Sequence, residues 1–130
     1  MRPRRSSGER SAAASVTFGS PYEGPPGSVH GGYVAAAFDE VLGYVQSLGG
    51  SPGFTGTLSI RYLNPTPLHT ELILEAELLR MEGRKIFTEG RLRAGDLVTA
   101  EAQGLFISVD QQKIDALMRR REEFEVKQAR

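Results

Sequence analysis

The sequence predicts an α+β domain in which an antiparallel sheet wraps around one long central helix. Three observations lead there. Apolar residues recur at helical spacing between Val34 and Leu48 and at no other long apolar stretch. From Leu58 to Val109 the apolar period falls to two, the signature of half-buried strands. The later strand segments are joined by short turns, which suit antiparallel neighbours and one segregated helix.

Taken in order, "MRPRRSSGERS" has the charges of a signal-peptide start but no apolar segment behind them, so residues 1–12 read as a disordered tail. "ASVTF" alternates, with Val16 and Phe18 on one side, and opens a domain spanning 13–110. The loop "GSPYEGPPGSVHGG" is too rich in Gly and Pro for regular structure. The helix follows, with Val34, Phe38, Val41, Val45 and Leu48 in one stripe, and "LGGSPG" ends it at Gly49 and Gly50. In "TGTLSIRYLNPTP", Leu58, Ile60 and Tyr62 face one way and Thr57, Ser59 and Arg61 the other, until Pro65 and Pro67 stop the strand. "TELILEAELLRM", "IFTEGRLR" and "LVTAEAQGLFISV" are three further strands, turned by "EGRK" and "AGD". Residues 111–130 return to helical spacing through Ile114, Leu117 and Met118, with Asp110 as cap and a charged tail.

Composition removes several function classes. The 130 residues carry 16 basic and 16 acidic side chains, so no global field favours nucleic acid or an anionic membrane. The absence of cysteine excludes disulfides, thiolate metal sites and a cysteine nucleophile, and fits a reducing compartment. No stretch approaches the roughly 18 apolar residues of a membrane span, and a cytoplasmic location is expected. Two histidines 39 positions apart make a metal site unfavourable, and no cofactor motif, Gly-x-Ser-x-Gly elbow or phosphate loop occurs.

Chemistry concentrates on the helix. It starts at His30-Gly31-Gly32, with no Ser, Thr, Asp or Asn cap, so its first backbone N–H groups are expected to be bare at the electropositive end. Glycines there let another molecule reach the backbone, as a developing oxyanion requires, although two glycines also serve simply to turn a chain. Asp39 lies in a lane of small residues with Gly32, Ala35, Ala36 and Gly43. A carboxylate there can activate water or attack a carbonyl; a solvated helix face is the plainer alternative. Glu40 points about 100° away and reads as solvent-facing. His30 and Asp39 stand nine residues apart, roughly 13 Å along the axis, too far for one carbonyl. If both act on it, the Asp39 comes from a second helix running antiparallel, and the protein is a two-fold dimer with composite sites.

"EGPPGSVHGGYVAAAFDEVLG" followed by "GTLSIRYLNPTPL" resembles the hotdog-fold acyl-CoA thioesterases of the phenylacetate-degradation type, over roughly Val16 to Val109. The resemblance implies a five- to six-stranded hotdog sheet and hydrolysis of an acyl-CoA, with coenzyme A as part of the substrate and no other cofactor. It implies that Gly31 and Gly32 polarise the thioester carbonyl through backbone N–H, that His30 shapes the loop beside it, and that Asp39 is the catalytic carboxylate from the partner subunit. Thr55, seven residues before Tyr62, matches a Thr or Ser that positions that carboxylate. Some relatives place an Asn or Gln before the His; here "EGPPGS" has neither. A homodimer, paired into a dimer of dimers, is also implied. Coenzyme A needs cations for its phosphates, and Arg61, Arg91 and Arg93 are candidates, although arginines on a solvated sheet face are common. Two other readings compete: a hotdog enoyl-CoA hydratase or dehydratase, and a non-catalytic acyl-CoA-binding sensor.

Overall fold

The computed structural model describes residues 1, 3–5, 10–50 and 53–128. Strands β1 (Arg4–Arg5) and β2 (Ser11–Val16) precede helix α1 (Gly31–Ser47). Strands β3 (Gly53–Tyr62), β4 (Leu72–Glu82), β5 (Lys85–Ala94) and β6 (Leu97–Ser108) follow, then helix α2 (Gln111–Gln128). All pairings are antiparallel, in one sheet of order β1-β2-β4-β5-β6-β3. Five long strands carry the sheet, α1 packs across one face of it against β2 to β6, and β3 forms one outer edge.

Alternation decides which face is covered. Leu72, Leu74, Ala76 and Leu78 of β4 are buried toward the helix, as are Ile86 and Leu92 of β5 and Ala100, Ala102 and Phe106 of β6. From α1, Val34, Phe38, Val41 and Val45 meet them, the stripe expected from the sequence; Leu48, at the helix end, is half-buried. Leu42 is also fully buried and reaches the sheet where Gly90 and Gly104 leave room. A Cβ on Gly104 would lie 2.8 Å from Thr88 Oγ1, 3.0 Å from the Phe106 ring and 3.1 Å from Leu42. Removing that one carbon lets helix and sheet close to contact. The two hairpins turn at Gly83 and Gly95, both at φ +59°, where a side chain is strained.

Two features differ from the sequence expectation. The sheet begins at Ser11, and Arg4–Arg5 pair with Ala13 and Ala12, within the stretch expected to be a tail. Edge pairing uses backbone groups alone, and Ala12 and Ala14 are too small for their alternation to stand out. Residues 6–9 of that stretch lie outside the described residues. At the other end Asp110 Oδ1 accepts from Gln112 N–H at 2.9 Å, the expected cap. Leu117, Met118 and Phe124 of α2 are exposed, while the Ile114 side chain lies outside the described residues. Among the described residues no helix is long and apolar enough to cross a membrane.

The face away from the helix is charged. Arg93 Nε donates to Glu75 Oε1 at 2.7 Å, with Arg91 Nε 3.4 Å from the same oxygen, and the Arg93 hydrogen bond holds the Glu75 carboxyl below its ordinary range. One row along, Glu77 and Glu89 stand directly opposite each other. A hydrogen bond from one carboxyl to the other, then desolvation and repulsion, raise the Glu89 pKa.

The Gly104→Ala substitution should overpack this crossing and cost about 1–3 kcal/mol, read from urea denaturation. Because the folded pKa of Glu89 is raised, the stability it contributes is present below the unfolded value and lost as pH rises through the folded one. Glu89→Gln should therefore raise the melting temperature at neutral pH, and the gain should vanish below pH 4.5, the ordinary value.

Candidate active site

The start of α1 is more closely built than its sequence suggests. His30 is the N-cap, and its Nδ1 accepts the Gly32 N–H at 2.9 Å. The expectation of a bare start is thus corrected: one of the first amides is occupied by the motif histidine itself. Gly32 is what allows it, since a Cβ there would stand 3.1 Å from His30 Nδ1. The Gly31 N–H meets no acceptor among the described residues, so it remains the available donor at the helix start. His30 is held from behind: its N–H donates to the Tyr22 carbonyl at 2.8 Å, and a Cβ on Gly24 would lie 2.8 Å from its Cα. The ring stands edge-on to Tyr33 at 5.9 Å.

Two turns further along α1, Asp39 is exposed and accepts a hydrogen bond from Thr55 Oγ1 to its Oδ1 at 2.7 Å. Strict alternation from Tyr62 would point Thr55 away from the helix. The β3–β6 register slips between Thr55 and Thr57, leaving Gly56 as an extra residue. Thr55 then pairs with core-facing Phe106 and turns toward the helix. At the other end of the same strand, Tyr62 Oη donates to the Gly31 carbonyl at 2.7 Å. Asp39 lies on the exposed side of α1 next to β3, whose outer edge pairs with nothing among the described residues.

The structure therefore brings Asp39 to Thr55, and His30 to Gly31 and Gly32, but places these two groups about 12 Å apart along one helix. Arg61, Arg91 and Arg93 fall on the sheet face opposite the helix, Arg91 and Arg93 engaged by Glu75. Three contributors were not legible as such: the Tyr62 hydroxyl, Gly24 and the Gly56 bulge. Tyr62 stands three residues before the Pro65 that stops the strand, and alternation assigns it only to the apolar face.

One long helix laid over an antiparallel sheet of this order is the hotdog fold. The chain belongs to the Thioesterase superfamily, which it matches over residues 26–104. It is 39% identical over 98 residues to the acyl-coenzyme A thioesterase THEM4 of Bos taurus, covering 73% of this chain and 40% of that protein. The chain thus spans less than half the length of that relative. A crystallised thioesterase superfamily protein superposes with a TM-score of 0.76 at 43% identity, covering 81% of this chain and 54% of its own. The fold is shared also by a thioesterase protein of Streptococcus pneumoniae TIGR4 crystallised with coenzyme A, at TM-score 0.73 and 20% identity over 78% of this chain and 82% of the other.

Replacing His30 with Ala should remove the cap and lower unfolding stability by about 1 kcal/mol in urea titration. Unchanged stability would show that the Nδ1 contact contributes nothing to the helix.

Proposed function

We propose that this chain hydrolyses the thioester of an acyl-coenzyme A to the free acid and coenzyme A. The observation that carries the reading is the Thr55–Asp39 hydrogen bond on the open side of α1. It occupies Oδ1 and leaves Oδ2 to act on water or on a carbonyl carbon. The name of the Bos taurus relative, and the coenzyme A in the Streptococcus pneumoniae structure, support the same chemistry.

In this reaction the thioester oxygen lies at the Gly31 N–H, where the helix start favours the negative charge that develops. Asp39 takes a proton from water as the water oxygen bonds to the carbonyl carbon, or attacks that carbon itself and is later released by water. The C–S bond breaks, and the thiolate leaves and takes up a proton. Thr55 keeps the carboxylate aimed.

One chain does not offer both groups to one carbonyl, so the reading includes a two-fold dimer. A second copy added antiparallel along the free β3 edge would set the two α1 helices side by side, each Asp39 toward the other copy's Gly31. Exposed Phe54 and Tyr62 on that strand would be covered by it. Pairing of two dimers, which the resemblance implies, has apolar surface available on the outer sheet face at Leu79, Phe87 and Leu105. For the coenzyme A phosphates, Arg61 is the least encumbered of the three arginines, since Glu75 partly neutralises the other two.

Asp39→Asn should keep its fold and lose roughly 10²–10⁴-fold in kcat, read by thiol release from acyl-CoAs; full activity would reject the assignment. Mixing Asp39→Asn with His30→Ala chains tests the composite site. Random dimers should recover about one quarter of the wild-type sites, since each mixed dimer rebuilds one of its two. No recovery would place both groups in a single subunit.

A further inference from the structure

The strand that positions Asp39 also touches the helix start, and that contact has a chemical consequence. Tyr62 Oη donates to the carbonyl of Gly31, and the N–H of the same peptide unit, on Gly32, donates to His30 Nδ1. The two bonds, at 2.7 and 2.9 Å, form one chain through a single amide: hydroxyl, carbonyl, N–H, imidazole. A backbone N–H can only donate, so Nδ1 must present its lone pair, and the neutral ring carries its proton on Nε2. A donor on the carbonyl polarises the amide and strengthens the bond its N–H makes.

We propose that Tyr62 is a positioning residue which, through the Gly31–Gly32 peptide, holds His30 in the tautomer that carries its N–H on Nε2. The tyrosine has one O–H, and the Gly31 carbonyl uses it, so Tyr62 is not itself a proton donor to substrate. Its ring lies close beside the peptide: a Cβ on Gly31 would sit 3.4 Å from Tyr62 Cζ and Oη, in ordinary van der Waals contact. Other contacts hold the backbone of His30 but leave the ring's proton undetermined: the Tyr22 carbonyl behind its N–H and Gly24 against its Cα. On the proposed thioesterase reading, which this inference extends, the Nε2–H is a neutral donor that joins the Gly31 N–H at the developing oxyanion.

The test is Tyr62→Phe, which deletes one hydroxyl and keeps the ring that the proposed β3-edge dimer would cover; the melting temperature should fall only slightly, as the loss of one hydrogen bond requires. Thiol-release kinetics should show kcat lower by roughly tenfold with KM within about twofold, the pattern of a lost transition-state contact. In the variant the Gly31–Gly32 peptide loses its side-chain anchor and can turn its N–H away from Nδ1. Long-range ¹H–¹⁵N NMR should therefore find His30 as the pure Nε2–H tautomer in the wild type and as a mixture with Nδ1–H in the variant. A wild-type proton on Nδ1, or a variant whose tautomer does not move, overturns the proposal whatever the kinetics show. An unchanged kcat beside a shifted tautomer overturns the catalytic part of it. The NMR measurement needs no substrate: a wild type that turns over no acyl-CoA but shows the tautomer shift would sink the thioesterase reading and leave the relay standing.

Discussion

Strand β3 ties two points of α1, its start and its middle, to the sheet through two hydroxyls. Thr55 reaches Asp39 and Tyr62 reaches Gly31. Helix and strand run in opposite directions, so the two tethers fix how far along, and how far around, the helix lies. They fix little unless the helix is already seated, and the seat is Leu42 over Gly90 and Gly104, where a missing Cβ admits close contact. Apolar burial supplies the attraction; the hydroxyls supply the registration.

The charges are divided between the two faces of the sheet. Glu75, Arg91, Arg93, Glu77 and Glu89 crowd the outer face, where they partly cancel one another and perturb one another's protonation. On the helix side the polarity comes mostly from backbone: the Gly31 N–H, the peptide between Gly31 and Gly32, and the axial field of the helix. Asp39 adds a charge there, and a hydroxyl rather than a cation accompanies it. A carboxylate hydrogen-bonded by Thr55 keeps a free oxygen, whereas one clamped by an arginine fork would have both oxygens occupied.

Much of this was legible from residue order. The stripe Val34, Phe38, Val41, Val45 announces the helix because its period is 3.6. The strands announce themselves because buried and exposed residues alternate, and the hairpins because Gly83 and Gly95 tolerate φ +59°. What escaped was whatever breaks a period or hides in a backbone contact. Histidine is a rare cap, so the His30–Gly32 bond had no sequence signal. The Gly56 bulge shifts the phase of β3 halfway along, which alternation cannot register until the pairing with β6 is known. The start of β2 was missed because alanine alternation is nearly silent.

The slip at Gly56 makes this architecture sensitive to chain length in a way it is not to side-chain identity. The stretch from Thr55 to Tyr62 holds an odd separation between two hydroxyls that must nonetheless share a side. Losing or gaining one residue there would leave composition, hydrophobicity and ladder potential almost untouched while turning one hydroxyl out to solvent. Descendants of this sequence can drift widely in the letters of that segment; its arithmetic they must keep.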